Sequence, residues 1–331
     1  MSKDNLDVVG IGNAIVDVLS KTDDTFLQNN GINKGTMTLI EAAQAEALYA
    51  KMGPAMEVSG GSAANTIAAL ASLGSKVGYI GKVAHDQLGT VFRHDIRAAG
   101  VSFDTAPLLQ GAPTARCMIL ITPDAQRTMS TYLGACVWLT IDDINEEVIK
   151  SAQVTYLEGY LFDREHAKEA FYKAARLAHK AGKKVALTLS DPFCVDRHRD
   201  AFLDLVKNHV DILFANEAEI LSLYQVKTFA EAVEATRPHC EVSAITRGIM
   251  GSVIISGKDT VEVKAEPVHQ VVDTTGAGDL YAAGFLHGYT QKKPLAVCGR
   301  MASIAAAEII AQVGARPQRN LAQLLKDKNA A

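Results

Sequence analysis

Residues 271–286 read VVDTTGAGDLYAAGFL. A short apolar run ends at Asp273-Thr274-Thr275, followed by Gly276-Ala277-Gly278-Asp279 and an Ala/Gly-rich segment with helical spacing. The pattern predicts a strand or loop, a tight glycine turn, and a helix whose first turn carries Gly276 to Asp279. Small residues let a ligand approach the backbone there, and the unpaired N–H groups of a helix start attract anions. A carboxylate repels phosphate, so Asp279 is out of place in a pure anion site. It makes sense if it takes a proton from a hydroxyl that attacks a phosphate, while the N–H groups hold the developing charge. On these residues alone, the alternative is an acid placed in a first turn by the helix dipole.

On the C-terminal side, 295–310 has the spacing of a long helix, with Gly314 as its stop. On the N-terminal side strands and helices alternate. Strands are expected at 152–158, 184–189, 211–215 and 242–246, helices at 164–181 and 201–208, and a hairpin at 252–256 and 260–264. This alternation implies an α/β fold with a mainly parallel sheet covered by helices on both faces, with ligands at the C-terminal strand ends. Asn216 and Glu219, three apart after a strand, also form a capping box.

The first 134 residues carry the remaining motifs. Residues 7–19 (DVVGIGNAIVDVL) read as one strand. The third glycine of a dinucleotide fingerprint would fall at Ile15, so Gly10 and Gly12 do not support that site. Asn13 and Asp17, four apart, would share a face of a continuous strand. Asp17 lies within an apolar run, where an unpaired charge is costly, so ligand hydroxyls or a protein partner must satisfy it. Gly60-Gly61 precedes a helix opened by Ser62 and closed by Gly74, a capped helix after a tight turn. The paired glycines, with Asn65 in the first turn, suit a close-fitting polar ligand. Strands at 115–122 and 128–133, joined by Pro123-Asp124-Ala125-Gln126, form a hairpin with Arg127 at its end. A hairpin outside the strand–helix rhythm suggests a lid.

Composition narrows the class. With 48% hydrophobic and 21% charged residues, the 331-residue chain is ordinary globular protein. A net charge of −4 gives no footprint for nucleic acid or an acidic membrane surface. Five scattered cysteines without a C-x-x-C pair point to reduced thiols and the cytoplasm. The polar start MSKDNLD lacks the apolar core of a signal peptide. No H-E-x-x-H and no G-x-x-x-x-G-K-[ST] occurs, so zinc-protease and P-loop chemistry are not indicated.

Taken together, GGSAANTIAALASLG…IGKVAHDQLG and DTTGAGDLYAAGF resemble the signatures of the ribokinase/PfkB family of carbohydrate and nucleoside kinases. The resemblance runs from Val8 to about Pro317. GNAIVD at 12–17, PTARCMILIT at 113–122, RTMSTYLGA at 127–135, LTLSDPF at 187–193 and VDILFANEAE at 210–219 make the chain most similar to the adenosine kinases of that family. The resemblance implies a single domain, 1–331, with a three-layer α/β/α ribokinase-like core and a small β lid from about 13–40 and 111–134. It implies transfer from ATP, with Mg²⁺, to a nucleoside or sugar hydroxyl, K⁺ as a further cofactor, and a monomer or homodimer. A sensor on the same fold would be expected to lack Asp279 or its glycines, and all are present.

By motif position Asp279 would be the general base, with the N–H groups of Gly276, Ala277 and Gly278 as anion hole. Asp17, Gly61 and Asn65 would hold ribose hydroxyls, with Asn13 beside them. Asn216 and Glu219 would organise Mg²⁺ and its waters. Arg127 would reach a phosphate from the lid, Thr246 to Gly248 would line the ATP side, and Asp273 and Thr275 would hold the monovalent cation. Ile15, Val16, Leu133 and Tyr160 would wall a purine slot. The chain departs from the family pattern at Ala14, where Pro is common, and at Glu158-Gly159-Tyr160-Leu161 in the base pocket, where Glu158 stands in place of a small residue.

Overall fold

The computed structural model describes residues 5–124 and 126–330, so Ala125 of the hairpin turn lies outside the described residues. The strands in chain order are β1 (Leu6–Ile11), β2 (Ile15–Lys21), β3 (Met37–Leu39), β4 (Ala55–Gly60), β5 (Val77–Ile80), β6 (Ala115–Ile121) and β7 (Arg127–Tyr132). They continue with β8 (Ala152–Glu158), β9 (Lys184–Thr188), β10 (Ile212–Asn216), β11 (Val242–Thr246), β12 (Ser252–Ser256) and β13 (Asp259–Val263).

Eight of them form one sheet in the order β13-β12-β11-β10-β9-β8-β1-β5. From β5 to β11 every pairing is parallel, and the β12–β13 hairpin closes the edge antiparallel. The central strands are short apolar runs buried on both faces, as a parallel sheet between helices requires. One face packs the helices Ser62–Ser72, Ala277–Thr290 and Leu295–Ile310. The other packs Glu165–Lys180, Pro192–Asn208 and Glu217–Tyr224. The chain leaves β1 toward β5 on one side and β8 on the other. That switch point opens a crevice at the C-terminal strand ends.

The helix Ala277–Thr290 is buried from Leu280 to Gly288, so it lies inside the layer. A Cβ at Gly284 would come within 2.7 Å of Ala302 Cα, so glycine is what lets Ala277–Thr290 and Leu295–Ile310 approach so closely. That packing fixes the helix start, where Asp279 lies.

Five further strands form a second, mixed sheet in the order β3-β7-β6-β2-β4. The expected single strand over 7–19 is therefore two strands in two sheets. The break has a local cause. A Cβ at Gly12 would meet Glu158 Oε2 at 2.4 Å and Ala63 Cβ at 2.7 Å, and Asn13 turns to hydrogen-bond Glu158. Asn13 and Asp17 consequently do not share a strand face. The second sheet also takes β4, which lies outside the two segments expected of it. The helix expected over 201–208 begins earlier, at Pro192, and kinks at His198. Among the described residues, no helix is long and apolar enough to cross a membrane.

Candidate active site

The first turns of two helices meet at the crevice. Gly276 adopts a left-handed backbone (φ +81°) against Ala315 and starts the helix Ala277–Thr290. In its first turn, Asp279 Oδ1 accepts from Ser62 Oγ at 2.6 Å and Oδ2 from Asn65 Nδ2 at 3.1 Å. Burial pushes the Asp279 carboxyl up to about 6, against the lowering pull of those two donors and of the Arg316 charge. Such a group is ionised at neutral pH yet basic enough to accept a proton. The three N–H groups beside it are not equivalent. Ala277 N–H turns back to the Thr274 carbonyl at 3.2 Å, whereas those of Gly276 and Gly278 have no protein acceptor among the described residues.

Asp17 reaches the same crevice from β2. Its carboxylate lies where a Cβ on Gly60 would be, 2.3 Å from Oδ2, and a Cβ on Gly61 (φ +98°) would meet the Asn13 carbonyl at 2.1 Å. The paired glycines are thus required by the protein's own packing, whatever ligand binds. No protein hydrogen bond reaches the Asp17 carboxylate among the described residues. Burial raises it to about 6, with Arg316 and Arg127 lowering it and Asp279 raising it. Asn65 gives its amide N–H to Asp279, and its Oδ1, like that of Asn13, is buried without a partner among the described residues.

Arg127, at the start of β7, is buried, and its Nη1 lies 3.0 Å from Asp273 Oδ2. Asp273 also accepts from the backbone N–H of Thr275 (Oδ1, 3.0 Å) and of Gly314 (Oδ2, 3.1 Å). A guanidinium therefore already neutralises the carboxylate expected to hold a monovalent cation, and Asp273 and Thr275 do not fit that ion as they stand. Arg127 Nε and Nη2 remain buried without a protein partner among the described residues.

Farther along the main sheet, Asn216 ends β10 in register with Thr246 at the end of β11. Asn216 and Glu219 close a reciprocal capping box, with Asn216 Nδ2 2.6 Å from Glu219 Oε1. Glu219 is buried and pushed up to about 7 by burial, with Asp191 adding to the rise. An acid strained by burial and a second acid suits a divalent cation that keeps its waters and is shared with phosphates. Gly248 (φ +56°) is exposed in the 3₁₀ turn after β11, where Arg247 pairs with Glu217 at 2.9 Å.

Three contributors were not apparent from spacing alone. Ser62 spends its hydroxyl on Asp279 instead of capping its helix. Glu158, 1% exposed at the end of β8, accepts from Asn13 N, Asn13 Nδ2 and Ala63 N (3.3, 2.8 and 2.7 Å). It faces the protein and not a base pocket, as does Leu161, which is buried in the core, and Val16, buried on the far face of β2. Arg316 donates to Ser59 O from Nε and Nη2 (3.0 and 2.9 Å) and to Ala64 O from Nη1 (2.8 Å). It braces the turn before Ser62 and brings a buried positive charge near Asp17 and Asp279. An Arg in the small-residue run Gly314-Ala315-Arg316-Pro317 was the available signal.

Known proteins share this fold. The chain is 52% identical to an adenosine kinase from Sinorhizobium meliloti of known structure, covering 99% of this chain and 100% of that one, with a TM-score of 0.90. It is 50% identical to a probable sugar kinase protein from Rhizobium etli CFN 42, with 99% and 100% covered and a TM-score of 0.92. The adenosine kinase of Saccharomyces cerevisiae is 26% identical over 329 residues, 93% of this chain and 95% of that protein. The model of the pfkB family carbohydrate kinases matches residues 39–320. The chain accordingly belongs to the pfkB family of carbohydrate kinases, phosphotransferases that act on an alcohol group, here of a nucleoside or a sugar.

Proposed function

We propose that the protein transfers the γ-phosphoryl group of ATP to the 5′-hydroxyl of adenosine, giving AMP. The observation that carries this is the Asp17 carboxylate, beside Asp279 and without a protein donor among the described residues. A carboxylate can accept from two adjacent hydroxyls, which ribose offers at its 2′ and 3′ positions. Asp279 takes the 5′-hydroxyl proton as the oxygen attacks, and the free N–H groups of Gly276 and Gly278 hold the charge on the transferred group. Arg127 Nε and Nη2 are donors for the same phosphoryl oxygens. Mg²⁺, held through water by Glu219 with Asn216 orienting it, would neutralise the ATP phosphates, whose nucleoside end lies along Thr246 to Gly248.

The preference for a nucleoside over a bare sugar rests on the wall beside Asp17. Ile15, two residues earlier on β2, packs with Leu133 against Ala115, Cys136 and Val137. Tyr160 is half-buried, its hydroxyl held by the Ser190 carbonyl at 3.2 Å, and lies within the field of both Asp279 and Glu219. Apolar surface of this kind suits a flat base. The test is a phosphotransfer screen with Mg-ATP against adenosine, inosine, guanosine, ribose and fructose. Adenosine should give the highest kcat/KM with AMP as product; ribose or fructose used better than adenosine would replace this assignment with a sugar kinase.

A further inference from the structure

We propose that the Arg127 guanidinium permanently takes the place of a monovalent cation beside Asp273, so that the enzyme carries this charge in its own chain and is indifferent to K⁺. Asp273 heads the loop that delivers the Gly276 and Gly278 N–H groups. Its two oxygens fix that loop from three sides: Thr275 N–H on Oδ1, and Gly314 N–H and Arg127 Nη1 on Oδ2. The Arg127 and Asp273 side chains are 6% and 7% exposed. A carboxylate held away from water without an opposite charge beside it is costly. An ion from solution would do this only while bound. Arg127 cannot lose its proton and is anchored at the first residue of β7, so it does so whenever the second sheet is folded. A second full positive charge at the same buried carboxylate would be repelled at close range, with little screening by salt.

The position matters because the loop is tightly set. Gly276 packs on Ala315, and Gly314 binds Asp273 next to Arg127, whose Nη2 lies 3.7 Å from where a Gly314 Cβ would be. The cation at Asp273 therefore bears on the turn that aims the free N–H groups, and in this chain it arrives from the second sheet.

The proposal rests on the phosphotransfer assignment for its turnover readout only. Thermal unfolding of the wild-type protein is measured in KCl, NaCl and N-methylglucamine chloride at equal ionic strength, with adenosine phosphorylation in the same three salts. The expected result is one unfolding midpoint and one kcat across all three. Arg127→Gln opens Asp273 and should gain a midpoint that K⁺ raises by a few degrees over the organic cation. A wild-type midpoint or kcat that rises specifically with K⁺ overturns the proposal, as does a folded Arg127→Gln protein blind to K⁺. Should that variant not fold, the wild-type comparison decides alone. The thermal arm needs no acceptor, so a wrong acceptor assignment and a wrong cation assignment give different failures.

Discussion

Ser62 Oγ donates to Asp279 Oδ1 across 2.6 Å, joining the first turns of two helices 217 positions apart in the chain. With Asn65 on Oδ2, the neighbouring helix fixes the orientation of the carboxylate, and its remaining lone pairs are left for a substrate hydroxyl. Asp279→Asn should keep the fold and ATP binding but lower kcat by about 10²–10⁴-fold, since an amide cannot take the hydroxyl proton. Steady-state kinetics beside an ATP-binding titration checks this; wild-type-like kcat in the folded variant would remove Asp279 from the role of base.

Burial sets the pH at which that base works, with Ser62, Asn65 and then the Arg316 charge pulling it back down. Asp279 sits at about 6, so kcat/KM should fall as pH drops through about 6 and the base becomes protonated. The Arg316 charge lowers both Asp279 and Asp17. Arg316→Gln should move the acid limb upward, while Arg316→Lys keeps it near its original place. Arg316 also braces Ser59 and Ala64, so both variants should lose thermal stability. A lower midpoint with an unmoved acid limb would leave only the bracing role.

The same carboxylates invert the usual pH dependence of stability. Asp17 and Asp279 lie at about 6 and Glu158 and Glu219 at about 7, all raised chiefly by burial. Each group's folded pKa exceeds its unfolded value of about 4, so the folded state binds more protons between these limits. Stability from these groups is full below about 4 and is lost as pH rises through about 6–7. The unliganded protein should therefore unfold at a higher temperature at pH 6 than at pH 8. Glu158→Gln should flatten that difference. It should also weaken the hold on Asn13 and Ala63, because an amide cannot accept with both ends. A midpoint that rises from pH 6 to pH 8 contradicts the shared upward shift.

The parallel sheet and the helix start beside it were legible in the sequence. The small residues of Gly276-Ala277-Gly278-Asp279 marked a helix start, and the strand–helix alternation after residue 149 marked the parallel sheet because each parallel strand there is short, apolar and buried on both faces. The failures came where tertiary contacts overrule local pattern. Residues 7–19 read as one continuous β-branched run, and only Glu158, some 145 positions away, reveals why the strand breaks at Asn13. Gly60-Gly61 looked shaped for a ligand and is shaped by Asp17 and the Asn13 carbonyl. Arg127 marked the end of a hairpin correctly, but its pairing with Asp273 is a contact between two sheet systems that no spacing encodes.

The last expectation concerns how Asp17 discriminates among acceptors. It lies on β2 with Val58 and Cys117 opposite, half-buried and without a protein donor among the described residues. Burial raises the Cys117 thiol and the Asp17 charge adds to that rise, while burial also raises Asp17 itself, so Asp17 gains most from a ligand that brings hydroxyl donors. A ligand that removes one of two donors leaves that carboxylate only partly satisfied out of water. 2′-Deoxyadenosine should thus be a poorer substrate than adenosine by about 1–3 kcal/mol in kcat/KM. Asp17→Asn should lower kcat/KM for adenosine and narrow the gap between the two nucleosides, because an amide oxygen accepts from one hydroxyl where the carboxylate takes two. The gap, not the absolute rate, is the informative quantity, since simple damage to the pocket would lower both substrates together. Equal discrimination in wild type and Asp17→Asn would place the 2′-hydroxyl against another residue.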